Sequence, residues 1–333
     1  MLLDDLGEPG LRKRARPHFS LEEIDRYASF LQHSAIEKST SKVYKTGARD
    51  YISFCVSHRL SLQPTPLTLS RYITFSSHSI ASASKYLTGA SHYLKDLYPD
   101  FDTVRSHPLV LSTIRGSQKV RADPVIRKLP LRLSHLSSFV KYSQATKNYD
   151  DLLFATIMSC AFYGCHRMGE LIIKSDKSLF DWRKIIKCSS LAFSGKHAQY
   201  RLPYHKADPF YRGSDIVFSE HDIADPVQLL KNYTSLRDAR HGARLPLFLC
   251  EDGSFPNRNW FDNKFFKFLS HKFGGHSARA GGATYYASLG LSDSIIQAIS
   301  RWSSTAWKIY IRDNPTVQAE QQLASICLNL HHV

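Results

Sequence analysis

The sequence predicts a mainly α-helical protein with a small antiparallel β-sheet, divided into a helical N-terminal domain and an α+β C-terminal domain. Two domains are expected because 333 residues exceed the roughly 250–300 residues that one hydrophobic core usually serves. Apolar residues recur at helical spacing along most of the chain. Short strand-like segments bounded by glycine and proline lie between residues 185 and 218.

The composition favours an anionic partner. Lys and Arg number 44 against 29 Asp and Glu, a net charge of +15. Such a charge attracts polyanions by long-range steering and counterion release, so nucleic acid is the first candidate, although many basic proteins bind nothing specific.

The six cysteines are scattered, without a C-x-x-C pair or zinc-ligand spacing, which predicts a reducing compartment and no structural metal. The most apolar run, residues 152–165, is too short to span a bilayer, and no signal-peptide core is evident near the N-terminus. We therefore expect a soluble, unsecreted protein with no membrane partner.

Residues 1–18 are predicted to form a flexible basic leader. The run from Arg12 to Pro17 fits a nuclear localisation signal, a phosphate-contacting arm or simply solvated charge.

Residues 19–117 are predicted to form a small all-helical domain. Ser20 and Glu23 match a capping box, and the apolar residues that follow predict a buried stripe on the first helix. Further helices are expected at 40–58, 68–77, 82–97 and 107–117. The stripe consists of Ile24, Tyr27, Phe30 and Leu31.

Basic side chains occupy the predicted outer face of this domain. The sequence alone leaves open whether they are a solvated surface or a phosphate-facing one. They include Lys42, Lys45, Arg49 and Lys85.

Residues 118–130 are polar, basic and flanked by proline, which predicts a linker to a second domain at 131–333. Helices are expected at 133–144 and 150–162, the second one buried. Arg167 follows it and precedes an apolar segment, where burying a guanidinium is costly unless it pairs with Glu170 or binds a phosphate.

Strands are expected at 185–186, 190–193, 199–206 and 215–218, followed by helices at 226–239 and 260–273. His276 and Arg279 would then stand one turn apart at a helix start, where both can donate hydrogen bonds to one anion. Gly281 and Gly282 inside this helix cost roughly 1 kcal/mol each relative to alanine, which predicts a close contact there. Tyr310 follows a Ser-Ser-Thr helix cap.

The order Arg167, Lys206, His276-Ser-Ala-Arg279, Trp302 and Tyr310 resembles the tyrosine recombinase (phage integrase) family, most closely its members from eukaryotic mobile elements. The resemblance is specific over about residues 160–312 and only architectural before them. The interval from Trp302 to Tyr310 is one residue shorter than in the commonest bacterial form. The resemblance implies a core-binding domain, a linker and a catalytic domain that close around DNA.

The resemblance also implies a role for each residue. Two arginines would clamp the scissile phosphate and the tryptophan would pack there and donate its indole N–H, while Glu170 would support Arg167. The histidine would donate to the phosphate or accept the tyrosine proton, and a hairpin lysine would protonate the leaving 5′-oxygen. Tyr310 would attack and form a 3′-phosphotyrosyl link, with no metal or cofactor. The implied set is Arg167, Lys206, His276, Arg279, Trp302 and Tyr310, with Lys196 as the alternative to Lys206.

The expected partner is double-stranded DNA, bound as a tetramer on paired sites by a protein that is a monomer or dimer when free. We expect the protein in the nucleus if it comes from a eukaryote and in the cytoplasm otherwise. Two alternatives remain: a recombinase-derived DNA-binding protein that no longer cuts, and a type IB topoisomerase-like relaxing enzyme. An apolar helix at 317–330 would dock into a neighbouring protomer or onto its own domain.

Overall fold

A computed structural model of the chain describes residues 19–124, 127–208 and 210–302. The chain divides into two compact units, Met1–Val125 and Ile126–Val333. Three predicted features lie outside the described residues: the basic leader, Tyr310 and the helix at 317–330.

Among the described residues of the first unit, all regular secondary structure is helical. Its core is built from one face each of several helices and contains Tyr51, Tyr72 and Phe101, with ring edges of Tyr72 and Phe101 packed towards Tyr51. Its helices are α1 (Leu21–Ser34), α2 (Lys38–Ser57), α3 (Pro66–Ser77), α4 (Ala83–Leu94), α5 (Phe101–Arg105) and α6 (Pro108–Arg121).

Helix α1 begins as predicted but is not buried as predicted. The Glu23 N–H donates to Ser20 Oγ at 3.2 Å, and the Glu23 carboxylate accepts the Ser20 N–H at 2.9 Å. The apolar stripe is nevertheless exposed, Tyr27 to 62% and Phe30 to 61%. The prediction of a buried stripe was wrong, because periodicity identifies an apolar face but not a surface to cover it.

Helices α2 and α4 approach each other through two glycines. A Cβ atom on Gly47 would lie 2.5 Å from the Tyr86 carbonyl oxygen, and one on Gly89 would lie 2.4 Å from the Tyr44 carbonyl oxygen. No larger residue fits at either position without moving the backbone. The basic residues proposed for DNA binding are exposed on these two helices: Lys42, Lys45 and Arg49 on α2, and Lys85 on α4.

The second unit combines helices with a three-stranded antiparallel sheet of order β1-β2-β3. Alternate residues of β2 face the core, Tyr200 among them. The predicted fold class, mainly α with a small antiparallel sheet, is confirmed. The elements are α7 (Leu133–Thr146), α8 (Tyr149–Tyr163), α9 (Met168–Leu171), β1 (Ala192–Ser194), β2 (His197–Leu202), β3 (Ser214–Ser219), α10 (Pro226–His241), α11 (Arg258–Phe268), α12 (Ser277–Ser288) and α13 (Asp293–Ser300).

Two local predictions differ from the structure. The segment at 185–186 is not a strand; a 3₁₀ turn, Trp182–Lys184, precedes it. Helix α6 continues to Arg121, so the linker predicted at 118–130 begins inside a helix. The first error is a strand that does not form, because a short apolar run does not by itself identify a strand. The second is a shifted helix end, which local sequence signals specify poorly.

Helix α8 is the centre of the second unit. It is buried on almost every side, and α7, α10 and α12 all pack against it. Helix α12 packs closest: a Cβ atom on Gly282 would lie 1.9 Å from the Phe162 carbonyl oxygen, and one on Gly281 would lie 2.3 Å from the Leu131 carbonyl oxygen. The close contact predicted from these glycines is confirmed. Across the described ranges, no helix is both long and apolar enough to cross a membrane.

Because of the glycine contact between α2 and α4, alanine substitutions at two different glycines should change the stability of the first unit in opposite directions. Gly89→Ala should destabilise the first unit by about 1–3 kcal/mol, since its methyl group would meet backbone that cannot move aside cheaply. Gly116→Ala in α6, where nothing lies within 4 Å of the new atom, should instead stabilise by about 0.5–1 kcal/mol. Urea unfolding of both variants measures this, and equal effects would contradict the packing.

Candidate active site

Arg167 lies at the corner between α8 and α9, where it is the N-cap of α9. Glu170 accepts its backbone N–H at 3.2 Å and its side chain through Nη1 at 3.1 Å. The Arg167 side chain remains 23% exposed. The pairing with Glu170 considered from the sequence is therefore present, and it leaves part of the guanidinium facing outwards.

The Glu170 carboxylate is almost fully buried and has further partners. His166 Nδ1 lies 3.0 Å from Oε2, and Arg301 Nη2 donates to the same oxygen at 3.2 Å. On the other side of the imidazole, Nε2 lies 2.8 Å from the Tyr200 hydroxyl on β2. We assign Nδ1 as the protonated nitrogen, because it faces a carboxylate, and Nε2 as the acceptor from Tyr200.

Burial controls the protonation of this network. It lowers the pKa of His166 to about 4, with the charge of Arg301 acting in the same direction, so the imidazole is neutral at pH 7. Burial alone would raise the pKa of Glu170. The hydrogen bond from His166 and the positive charges of Arg301 and Arg279 outweigh burial and hold that pKa well below its usual range. Glu170 is the anion of the site.

Arg279 lies in the first turn of α12 and is only 2% exposed. Its Nη1 donates to the Cys165 carbonyl at 2.6 Å and its Nη2 to the Ser300 carbonyl at 2.5 Å, while the guanidinium carbon lies 4.2 Å from the Trp302 ring centroid. Burial lowers the pKa of Arg279 to about 10, so it remains protonated at neutral pH. Trp302 thus packs on Arg279 as a cation–π partner.

His276 is the N-cap of α12, one turn before Arg279. Burial is the main cause of its lowered pKa, and the positive charges of Arg279, Arg167 and Lys206 add to it. The imidazole is therefore neutral at physiological pH and can accept a proton. The charge of Arg258 acts on this pKa in the same direction.

Lys206 and Lys196 occupy different hairpin turns. Lys206 lies in the β2–β3 connection, next to His205, whose Nε2 is 3.2 Å from Ser214 Oγ. Lys196 lies in the β1–β2 turn, where it is 82% exposed and 3.8 Å from Glu220. The charge of Lys206 acts on His276. These positions favour Lys206 over Lys196 as the general acid that protonates the leaving oxygen, which remains a prediction.

The structure thus brings together six residues of the predicted set in the second unit, while Tyr310 falls outside the described residues. The sequence interpretation missed His166, Tyr200 and Arg301. A histidine directly before Arg167 and a tyrosine on the inward face of a strand were the available signals. The six residues are Arg167, Glu170, Lys206, His276, Arg279 and Trp302.

No protein-family profile and no curated protein matches the sequence. Solved structures do match. The XerH site-specific recombinase bound to difH aligns with a TM-score of 0.53 at 14% identity, covering 84% of this chain and 77% of that one. The lambda integrase tetramer bound to a Holliday junction aligns with a TM-score of 0.52 at 14% identity, covering 86% and 75%.

A variant of the Tn1549 transposon integrase in complex with transposon right end DNA also aligns, with a TM-score of 0.52 at 15% identity, covering 86% of this chain and 92% of that one. The chain has the fold of the tyrosine recombinases. At these identities the likeness establishes the fold, and the activity has to be argued from the site.

The neutral His166 predicts acid sensitivity of the folded protein. Its pKa is about 4 when folded and near 6.5 in an exposed imidazole, so the unfolded chain binds the extra proton between these values. The stabilisation is complete above pH 6.5 and is lost as the pH falls to 4, at most about 3–4 kcal/mol at 1.4 kcal/mol per pKa unit. Urea unfolding at pH 7 and pH 5 measures this. The free energy of unfolding should fall less between the two pH values in His166→Gln than in wild type.

His197→Gln is the matched control for this measurement. His197 is exposed at the start of the strand that also carries Tyr200. Its replacement should therefore leave the change in unfolding free energy between pH 7 and pH 5 as it is in wild type. A loss of stability that is identical in His166→Gln and wild type would show that His166 does not carry the effect.

Proposed function

We propose that the protein is a site-specific DNA recombinase that cleaves and rejoins strands through a 3′-phosphotyrosyl intermediate at Tyr310. The observation that carries this proposal is that Arg279, one turn after His276, donates to the Cys165 carbonyl two residues before Arg167, while Trp302 packs on its guanidinium. The charges of Arg279, Arg167 and Lys206 also act on His276. The fold supports the proposal, because proteins of similar fold include recombinases and integrases whose structures were determined in complex with DNA.

The cations suit a phosphodiester that gains negative charge in its transition state. Arg167 is partly exposed and, among the described residues, its guanidinium pairs with Glu170 through Nη1, so other N–H groups can donate to a non-bridging oxygen. Arg279 uses Nη1 and Nη2 for one carbonyl each, which leaves three of its five N–H groups. Removing one such preorganised donor costs about 10²- to 10³-fold in rate.

The remaining groups supply the proton transfers. The Tyr310 oxygen would bond to phosphorus as the bond to the 5′-oxygen breaks. Neutral His276 would accept the phenolic proton, and Lys206 would protonate the departing 5′-oxygen. The phosphotyrosyl ester keeps the energy of the broken bond, so attack by a 5′-hydroxyl reverses the reaction and rejoins the strand.

DNA binding would be shared between the two predicted domains, 19–117 and 131–333, joined by the linker at 118–130. The net charge of +15 and the exposed basic residues of α2 and α4 favour contact with phosphates. Among proteins of this fold, the lambda integrase is seen as a tetramer on DNA. We propose the same assembly on paired sites here, for a recombinase of a mobile element that acts in the nucleus of a eukaryotic host.

Replacing the nucleophile should separate binding from cutting. Tyr310→Phe removes only the hydroxyl, so the variant should bind DNA as wild type does but form no covalent complex. A nicked suicide substrate that traps the intermediate, followed by denaturing electrophoresis, measures this. The DNA end attached to the protein should be the 3′ end.

Tyr142→Phe is the matched control and should form the complex at the wild-type rate; this phenol on α7 is partly buried and accepts a hydrogen bond from Lys267. Absence of a covalent complex with wild type on any bound site would favour a DNA-binding protein that no longer cuts. Relaxation of supercoiled DNA without preference for sequence or assembly into tetramers would favour a topoisomerase-like activity.

A substrate with a better leaving group tests the lysine. Lys206→Ala should slow cleavage about 10²-fold or more, the usual contribution of a general acid. A 5′-bridging sulfur in place of oxygen should restore the rate, because a thiolate leaves without a proton. Single-turnover cleavage of the two substrates measures both effects.

Lys196→Ala should cleave the ordinary substrate at the wild-type rate, since this lysine lies beside Glu220 in a different turn. The opposite pattern, a slow Lys196→Ala that sulfur rescues and an unaffected Lys206→Ala, would assign the proton transfer to Lys196.

A further inference from the structure

Arg301 has an unusual backbone conformation for a residue with a side chain. It ends α13 in the left-handed region, at φ = 55°. Helices commonly end in this conformation, but usually with glycine, because a Cβ atom makes it unfavourable. An arginine at this position goes against that local preference, which points to a use for its guanidinium.

The Arg301 guanidinium joins two parts of the site. Its Nη1 donates to the Gly164 carbonyl at 3.1 Å and to the Ile299 carbonyl at 3.0 Å, and its Nη2 donates to Glu170 Oε2 at 3.2 Å. Gly164 and Ile299 lie at the C-terminal ends of α8 and α13, where unpaired carbonyls concentrate negative charge. One side chain therefore binds both helix ends and the buried carboxylate.

Arg279 makes a parallel connection between the same segments. It joins the Cys165 carbonyl, one residue beyond Gly164, to the Ser300 carbonyl, one residue before Arg301. Two guanidinium groups thus hold residues 299–301 against residues 164–170. Trp302 follows directly, and its carbonyl accepts a hydrogen bond from Gln297 Nε2 at 3.0 Å.

We propose that Arg301 is a positioning residue: by sharing the Glu170 carboxylate with Arg167, it fixes the segment carrying Trp302 against the corner that carries Arg167. The proposal deepens the proposed function and rests on it for its catalytic consequence. In this role Arg301 touches neither the DNA nor the reacting atoms. It sets the distance between the two parts of the proposed phosphate site.

Replacement by glycine separates positioning from stability. Arg301→Gly relieves the left-handed backbone, whereas Arg301→Ala keeps the unfavourable Cβ, so the glycine variant should have the higher melting temperature. Both should lose cleavage equally, about 10²-fold in a single turnover with a suicide substrate, as expected for a small displacement of catalytic groups. Noncovalent affinity for the same DNA should be unchanged, and Arg301→Lys should recover part of the rate.

Arg237→Ala is the matched control. Arg237 is more deeply buried, with 1% of its side chain exposed against 9% for Arg301. It also binds carbonyl groups, those of Gly242 and Pro246, but it lies on α10. Its loss should lower the melting temperature and, below that temperature, leave the cleavage rate unchanged. The combination of Arg301→Ala with Glu170→Gln should reduce cleavage by less than the product of the two single effects, because both changes break one shared contact.

Hydrogen exchange in the DNA-free protein gives a readout that does not depend on catalysis. Arg301→Gly should raise amide exchange in peptides covering 164–171 and 296–302, and should leave peptides of α10 and α11 unchanged. Wild-type exchange in those peptides, or wild-type cleavage by Arg301→Gly, would overturn the proposal. A wild-type protein that forms no covalent complex would instead reject the proposed function, and the exchange experiment would still decide the role of Arg301.

Discussion

The rest of the site depends on the interactions that the buried carboxylate of Glu170 makes. Arg167, Arg301 and neutral His166 all bind it, and the charge of Arg279 acts on it. Without this anion, three guanidinium groups would face one another in a poorly solvated space, where repulsion between like charges is several times stronger than in water. Breaking such a network by removing one partner is costly because the other charges stay buried.

A backbone constraint complements this electrostatic one. Arg279 reaches the corner after α8 only because α12 packs directly against α8, and Gly281 and Gly282 permit that approach. The helix lies so close that its first turn delivers a guanidinium to the Cys165 carbonyl. Packing of glycine against backbone thus fixes one arginine, while charge pairing fixes the other, and the proposed phosphate site is the space between them.

The parts of this structure that could be predicted from sequence are those that local chemistry determines. The Ser20 capping box, the helix that follows it and the demand of Gly281 and Gly282 for a close neighbour are each properties of a few consecutive residues. Burial of Tyr27 and Phe30 could not be predicted, since it depends on a covering surface. The link from Tyr200 through His166 to Glu170 was also missed, because it joins residues 34 apart whose contact exists only after folding.

The charge balance of the candidate site favours an anion. Glu170 offsets one positive charge, yet Arg167 and Arg301 both bind it and the charge of Arg279 acts on it. Burial is the main cause of the lowered pKa of His276, and the charges of Arg279, Arg167 and Lys206 lower it further. A bound phosphodiester would supply the missing negative charge and relieve the repulsion. The same excess that disfavours the empty site therefore stabilises an anion that gains charge as its bond to the leaving group breaks, which is the requirement for phosphoryl transfer.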